Sequence, residues 1–357
     1  MFNQAKQNNE LIIIAGPCSA ESREQLQEVA TALQGCPQMT LVRCGAWKPR
    51  THPGGFEGVG EEALRWISSI KREHPNMRFA VEVAQPDHVE KALRYGIDAL
   101  WIGARTAGNP FAMSELGRAL SGSDLPIMVK NPPVPDVNLW MGAIERLQAV
   151  GISDIAAVHR GFVTPHAAPY RHEPLWQIPV ELRRACPTLP LLCDPSHIAG
   201  QAQLVPSIAQ TALNLGFEGL MVEVHPHPEQ ALTDACQQLT PENFLTMLSQ
   251  LTRRTQPVPN SEEMQLLREH IRLTDSQLLH LLADRFDTAR HIATLKQRSK
   301  SSLYQPEQWQ TKLSQCIAEA RELGLDESFV KNLYEMIHME SIRVQEAQLD
   351  TPTHSAQ

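Results

Sequence analysis

The chain is 357 residues long, 42% hydrophobic and 20% charged, with 40 acidic against 32 basic side chains and a formal net charge of −8. That length holds one large domain and a smaller one, and the composition is that of a globular protein. The acidic balance argues against nucleic acid as a partner, and no run approaches the roughly 18 apolar residues of a membrane helix.

Residues 1–10 (MFNQAKQNNE) are polar and lack the apolar core of a signal peptide. The seven cysteines are odd in number and show no C-x-x-C spacing. Reduced thiols in a cytoplasmic setting are therefore expected.

Eight short apolar runs follow, at residues 11–15, 39–43, 79–83, 99–103, 127–129, 155–158, 191–193 and 220–224. Amphipathic segments of helix length separate them. The alternation predicts repeated βα units with a parallel sheet, and eight units close a barrel whose site gathers at the C-terminal strand ends. The expected fold class is α/β, a (β/α)8 TIM barrel over residues 1–254. It starts almost at Met1, which leaves no room before it for a further regulatory domain. Each run leads to or contains a reactive side chain: Cys18, Lys48, Glu82, Arg105, Lys130, Arg160, His197 or Glu223. Such a collection predicts an enzyme.

Two groups stand out among these residues. Cys18 lies in AGPCS (15–19), His197 in DPSH (194–197) and Glu223 in VEVH (222–225), with Asp234 eleven residues on. Strands one, seven and eight are neighbours in a closed barrel, so the four side chains can converge. A thiolate, an imidazole and two carboxylates suit a divalent transition ion rather than calcium; manganese, iron, cobalt and zinc all fit. The second group is cationic: Arg43, Lys48, Arg105, Lys130 and Arg160. Glu82 and Asp194 can neutralise only some of them. The excess implies substrates bearing carboxylate and more than one phosphate.

The alternation ends after a helix over 242–253. TQPVPN (255–260) cannot continue that helix and reads as a linker. From Ser261 the apolar residues Met264, Leu267, Ile271, Leu278, Leu282, Phe286, Ala289 and Ala293 recur at helical spacing. Ser261 is a sound N-cap with Glu262 and Glu263 behind it. The spacing predicts a helix over 261–297, about 54 Å long, then helices over 306–323 and 326–349 around Gly324. This all-α three-helix domain spans 261–350, with 351–357 a frayed tail. Two short companions cannot cover so long an apolar stripe, which predicts a homodimer through the helical domain.

AGPCS, LVRCGAWKPRTHPGGFEG, IGARTAGN, DPSHIAG and VEVHPHPEQALTD occur in this order within about residues 10–253. Together they resemble the motifs of 3-deoxy-D-arabino-heptulosonate 7-phosphate (DAHP) synthase of the short microbial type. The resemblance implies a shikimate-pathway reaction, condensation of phosphoenolpyruvate with erythrose 4-phosphate to DAHP and phosphate. It assigns Cys18, His197, Glu223 and Asp234 to a divalent metal ion, with manganese (Mn2+) the first choice over Fe2+, Co2+ or Zn2+. Arg43, Lys48, Arg105, Lys130 and Arg160 would hold phosphoenolpyruvate, Arg50 and Thr51 the aldose phosphate, and Lys48 would also donate a proton to the aldehyde oxygen. The related synthases of 3-deoxy-D-manno-octulosonate 8-phosphate, which use arabinose 5-phosphate, typically have Asn-Arg-Ser where this chain has KPRT (48–51). KPRT favours erythrose 4-phosphate.

LREHI (267–271), LADR (282–285) with Lys296, and Ser341 with Gln345 resemble the all-helical chorismate mutase family. That resemblance implies rearrangement of chorismate to prephenate. Arg268 and Arg285 would bind the two carboxylates, Lys296 and Gln345 would meet the ether oxygen, and Ser341 would also bind the substrate; Arg285, Lys296 and Gln345 would be catalytic. Arg285 and Lys296, eleven residues apart, lie within about 20° on one helix face. Arg268 is about 100° from Arg285, in keeping with service to the partner chain's site. Ser341 and Gln345 form an i, i+4 pair. Gln308 and Trp309 stand where the family commonly has an arginine and a glutamate. The expected whole is a bifunctional cytoplasmic enzyme whose synthase is inhibited by prephenate. The alternative is a DAHP synthase whose helical domain is a non-catalytic regulatory and dimerisation module.

Overall fold

All eight apolar runs form strands: β1 Ile12–Gly16, β2 Met39–Cys44, β3 Phe79–Val83, β4 Ala99–Ile102, β5 Ile127–Lys130, β6 Ile155–His159, β7 Leu191–Cys193 and β8 Gly219–Glu223. They pair in sequence order, and β8 returns to β1 in parallel from Gly219 opposite Ile12 to Glu223 opposite Gly16. The barrel is closed. The computed structural model describes residues 1–48, 54–165, 169–254 and 261–349. Arg50 and Thr51, the linker 255–260, Asp350 and the tail 351–357 lie outside the described residues. The chain divides into two compact units, Met1–Gln256 and Pro257–Gln357.

The two-residue period of a strand sorts the barrel side chains. Ile12, Ile14, Leu41, Trp101, Met128 and Met221 are among those that pack together inside the barrel. Their neighbours Ile13, Val42, Leu100, Val129 and Leu220 join the larger core beneath the surrounding helices. Both strand faces are buried, which is why the runs read as continuously apolar. Two residues beyond the last inward apolar side chain, the same parity turns Arg43, Glu82, Lys130, Arg160, Asp194 and Glu223 into the C-terminal mouth. Gly103 continues the inward parity of β4; a Cβ there would lie 2.1 Å from Glu82 Oε1. The absence of a side chain makes room for that carboxylate.

Residues 1–10, expected only to be polar, contain the helix Phe2–Gln7. Phe2 is fully buried and joins the inner barrel cluster. The Asp154 carboxylate, just before β6, accepts hydrogen bonds from the backbone N–H groups of Phe2 and Asn3 at 3.1 and 3.0 Å. Phe2 thereby closes the end of the barrel opposite the mouth. One buried aromatic ring leaves no periodicity to read.

The second unit has the three expected helices, Glu262–Ser299, Pro306–Glu322 and Glu327–Leu349. The Ser261 side chain accepts from the Met264 backbone N–H, and the long helix stops at Lys300, which is left-handed with φ 52°. It runs two residues past the expected end. The helix that closes the barrel unit, Pro241–Gln250, ends three residues earlier than the spacing predicts. On the long helix Leu267 and Ile271 of the apolar stripe are 55% and 60% exposed, and Leu266 beside them 67%, so among the described residues of this unit the first part of the stripe is not covered. Among the described residues no helix is long and apolar enough to cross a membrane.

His159, at the outward-facing end of β6, is fully buried among Trp140, Phe162, Trp176 and Phe217. Burial pushes its pKa down to about 3, whereas the unfolded chain takes up that proton near pH 6.5. Below pH 6.5 the unfolded state binds more protons, so stability falls as the pH drops towards about 3. The loss from this residue should reach about 2 kcal/mol at pH 5. In urea titrations at pH 7 and pH 5, His159→Phe should lose correspondingly less stability than the wild type; equal losses would refute the assignment.

Candidate active site

Asp194 sits at the centre of the mouth. It caps the short helix Pro195–Ala199 after β7, its carboxylate accepting the His197 backbone N–H at 3.0 Å. Lys130 Nζ donates to it at 2.7 Å, His197 Nδ1 lies 2.8 Å away and Arg43 Nη1 3.8 Å away. Burial pushes this carboxyl up, yet His197, Lys130 and Arg43 together hold it well below the usual carboxylate range. Asp194 also fixes the His197 ring, because a carboxylate on Nδ1 turns Nε2 towards the cavity.

The expected metal ligands come together there. Ligand atoms of Cys18, Glu223 and Asp234 all lie within 4.8 Å of one another. His197 Nε2 stands 3.7 Å from Glu223 and 3.9 Å from Asp234. Cys18 Sγ is 3.2 Å from Asp234 Oδ2. Burial, and then the charge on Glu223, pushes the Cys18 thiol up. Two carboxylates crowded beside a thiol and an imidazole in a buried cleft form a donor set that fits a divalent transition ion. Burial lowers the His197 pKa against the pull of Asp194.

Around this group stand the cations. Arg43, 1% exposed, donates to Glu223 Oε1 at 3.0 Å and to the Pro17 carbonyl at 3.3 Å, with its guanidinium 5.2 Å from the Trp101 ring. Its Nη1 is buried without a hydrogen-bond partner among the described residues. Lys48 Nζ is 2.9 Å from Cys18 Sγ and 3.3 Å from the Cys18 carbonyl. Burial opposes its charge, but Cys18, Glu82 and Glu223 raise its pKa. Arg160 is 8% exposed, and burial brings its pKa down to about 10. Arg105 lies on the short helix Ala104–Ala107, exposed, and its charge reaches Arg160.

Four polar side chains that the motifs did not single out complete the cluster. Gln237 Nε2 donates to Glu223 Oε2 at 2.6 Å, and Arg171 bridges Asp234 Oδ1 at 3.0 Å and Gln237 Oε1 at 2.7 Å. The Glu223 backbone N–H donates to Ser196 Oγ at 2.9 Å, and the Cys18 backbone N–H to Gln238 Oε1 at 3.1 Å. Ser196 could have been found beside His197. Arg171 lies in an irregular stretch between β6 and the helix Gln177–Ala185, where spacing carries no signal.

In the helical unit Arg285 donates to Ser341 Oγ, and Gln345 Nε2 to the Ser341 carbonyl at 3.1 Å. Lys296 Nζ donates to the Leu303 carbonyl at 2.6 Å. Arg285, Lys296, Ser341 and Gln345 thus line the meeting of the long and last helices and the connection between the first two. Arg268 lies seventeen residues before Arg285, about 25 Å along the helix, and is exposed, away from the cluster.

Residues 4–257 match the family model of the DAHP synthetase I family, and residues 267–346 match chorismate mutase type II. A phospho-2-dehydro-3-deoxyheptonate aldolase of Thermotoga maritima is 32% identical over 246 residues, covering 69% of this chain and 70% of that protein. The crystal structure of the Thermotoga maritima enzyme (DAHP synthase) aligns with a TM-score of 0.61 at 31% identity, over 74% of this chain and 71% of that one. A 2-dehydro-3-deoxyphosphooctonate aldolase of Rhodopseudomonas palustris is 24% identical over 263 residues, covering 68% of this chain and 86% of that protein. The chain belongs to the DAHP synthetase I family, with a chorismate mutase type II domain fused after the barrel. It is a bifunctional enzyme of the shikimate pathway, an aldol-type transferase and an isomerase.

Asp194→Asn would leave Lys130 and Arg43 buried with less negative charge than they require. Breaking a buried pair in this way costs about 3–5 kcal/mol, so the urea midpoint of the barrel should fall sharply at pH 7. An unchanged midpoint would refute the central role of this carboxylate.

Proposed function

We propose that the barrel of this two-domain enzyme joins phosphoenolpyruvate to erythrose 4-phosphate with the help of a divalent ion, and that prephenate inhibits that reaction. The observation behind this reading is the close approach of Cys18, Glu223 and Asp234 beside His197, with Lys48 2.9 Å from the thiol. Cys18, His197, Glu223 and Asp234 would hold the ion, manganese first, with iron, cobalt or zinc as alternatives. Bound there, it supplies Lewis acidity to the aldehyde carbonyl.

The residues of the chain do the rest. Arg43 Nη1, Lys130, Arg160 and Arg105 offer donors to the phosphate and carboxylate of phosphoenolpyruvate, bringing together two polyanions that would otherwise repel. Arg50 and Thr51 are assigned to the aldose phosphate. Lys48 keeps a proton at Nζ and can pass it to the aldehyde oxygen as the enol carbon attacks. Water then adds to the cationic carbon left behind, and phosphate departs.

In the helical domain the rearrangement is unimolecular and needs only a preorganised cationic cage. Arg285, Ser341, Lys296 and Gln345 are assigned to it, and Arg268 to the same site of the partner in a homodimer. The exposed Leu266, Leu267 and Ile271 support that dimer. Domain limits of 1–254, 255–260, 261–350 and 351–357 accompany this reading. A cytoplasmic location is supported by seven unpaired cysteines.

The test uses the purified full chain, stripped of metal and reloaded with manganese, and offered each aldose phosphate with phosphoenolpyruvate. Turnover is expected with erythrose 4-phosphate; turnover with arabinose 5-phosphate alone would overturn the substrate assignment. Cys18→Ala and His197→Ala should lose calorimetric manganese binding and at least about 100-fold of synthase rate while sparing the mutase. Undiminished metal binding in both would refute the ligand set. Saturating prephenate should slow the synthase, and an unchanged rate would dispose of the inhibition.

A further inference from the structure

The last helix carries a stripe of side chains that the assigned roles do not exhaust. Tyr334, His338, Ser341 and Gln345 are spaced four, three and four apart, on one helix face. Ser341 meets Arg285, and Gln345 lies one turn on. The His338 ring lies flat on Trp309 of the middle helix, with centroids 3.9 Å apart and planes 9° apart, and Tyr304 stands 5.9 Å away. Among the described residues His338 Nε2 is buried without a hydrogen-bond partner, and so is Gln345 Oε1. Buried polar atoms without partners are uncommon. Two of them on one stripe, beside the Arg285 and Lys296 cations, mark a surface shaped to meet the polar groups of a ligand.

We propose that His338 is an anion-binding residue of the helical site: as dianionic chorismate docks, the imidazole takes one proton from solvent and donates from Nε2 to a substrate carboxylate, its plane fixed by Trp309. This inference rests on the reading of the domain as a mutase. The charged groups acting on His338 are Arg285 and Lys296 of the long helix. The middle helix meets it through the uncharged Trp309 ring and the connecting segment through the Tyr304 phenol. On its own helix, Tyr334 has its phenol pushed up by burial and then by Cys316. Burial first, and then the two cations, lowers the pKa of the imidazole in the free protein. Arrival of two carboxylates reverses that electrostatic balance and draws the proton in. Affinity should therefore rise as the pH falls through neutrality, a range in which the substrate's own carboxylates do not titrate.

The test follows mutase kinetics of the full chain from pH 8 to pH 6, and calorimetric binding of prephenate at pH 7 in two buffers of different ionisation enthalpy. The wild-type KM for chorismate should fall on the order of tenfold towards pH 6, the worth of one charge-assisted hydrogen bond. His338→Gln should remove that slope and raise KM about tenfold at pH 6, leaving any change from Lys296 at the alkaline end in place. Prephenate binding should take up between zero and one proton in the wild type and none in His338→Gln. Turnover with a KM slope that persists in His338→Gln, or binding without proton uptake, overturns the inference and leaves the mutase reading intact. A wild type that neither consumes chorismate nor binds prephenate overturns both. The wild-type proton uptake decides the matter even if the variant does not fold.

Discussion

The pairing of β1 with β8 is the constraint on which the site depends. Cys18 follows the first strand and Glu223 ends the last, more than two hundred residues away in sequence. Only closure brings Gly16 opposite Glu223 and sets the thiol among the carboxylates. Gly219 makes the seam possible: a Cβ there would lie 2.2 Å from the Ile12 carbonyl oxygen. Local structure at each end of the chain, however well formed, would leave Cys18 at one edge of an open sheet and His197, Glu223 and Asp234 towards the other.

Once closed, the barrel gathers charges that are individually unfavourable. Each ion removed from water costs several kcal/mol unless others offset it. Asp194 answers Lys130, Arg43 and His197; Glu223 answers Arg43 and accepts from Gln237. The carboxylates hold Arg43 and Lys130 in place before any anion arrives, and among the described residues Arg43 Nη1 makes no hydrogen bond. Such preorganisation is what electrostatic catalysis requires, because the groups need not move as charge develops. The helical unit shows the same principle on a smaller scale, with Arg285 and Lys296 steadied by Ser341 and by a backbone carbonyl.

Much of this was legible in the sequence. Strands buried on both faces must be apolar throughout, so eight short runs stood out, and the reactive residue at the end of each was visible without coordinates. The partition of charge was not. Asp194 is one residue among several acids near strand ends, and only inward parity, with β7 as short as Leu191–Cys193, makes it the centre. Arg171 reaches Asp234 across 63 residues from a stretch without periodicity. The stacking of Trp309 on His338 unites two helices through residues whose spacing in the chain says nothing about contact. Tertiary pairs of that kind leave no local trace.

Phe2 and Trp101 have a consequence for traffic. With Phe2 closing one end and Trp101 filling the layer beneath Arg43, the described residues leave the barrel open only at its mouth. Whatever binds against Arg43 and Lys130 must enter before anything that rests above it. The architecture itself therefore favours an ordered sequence of arrivals, with the deepest guest first in.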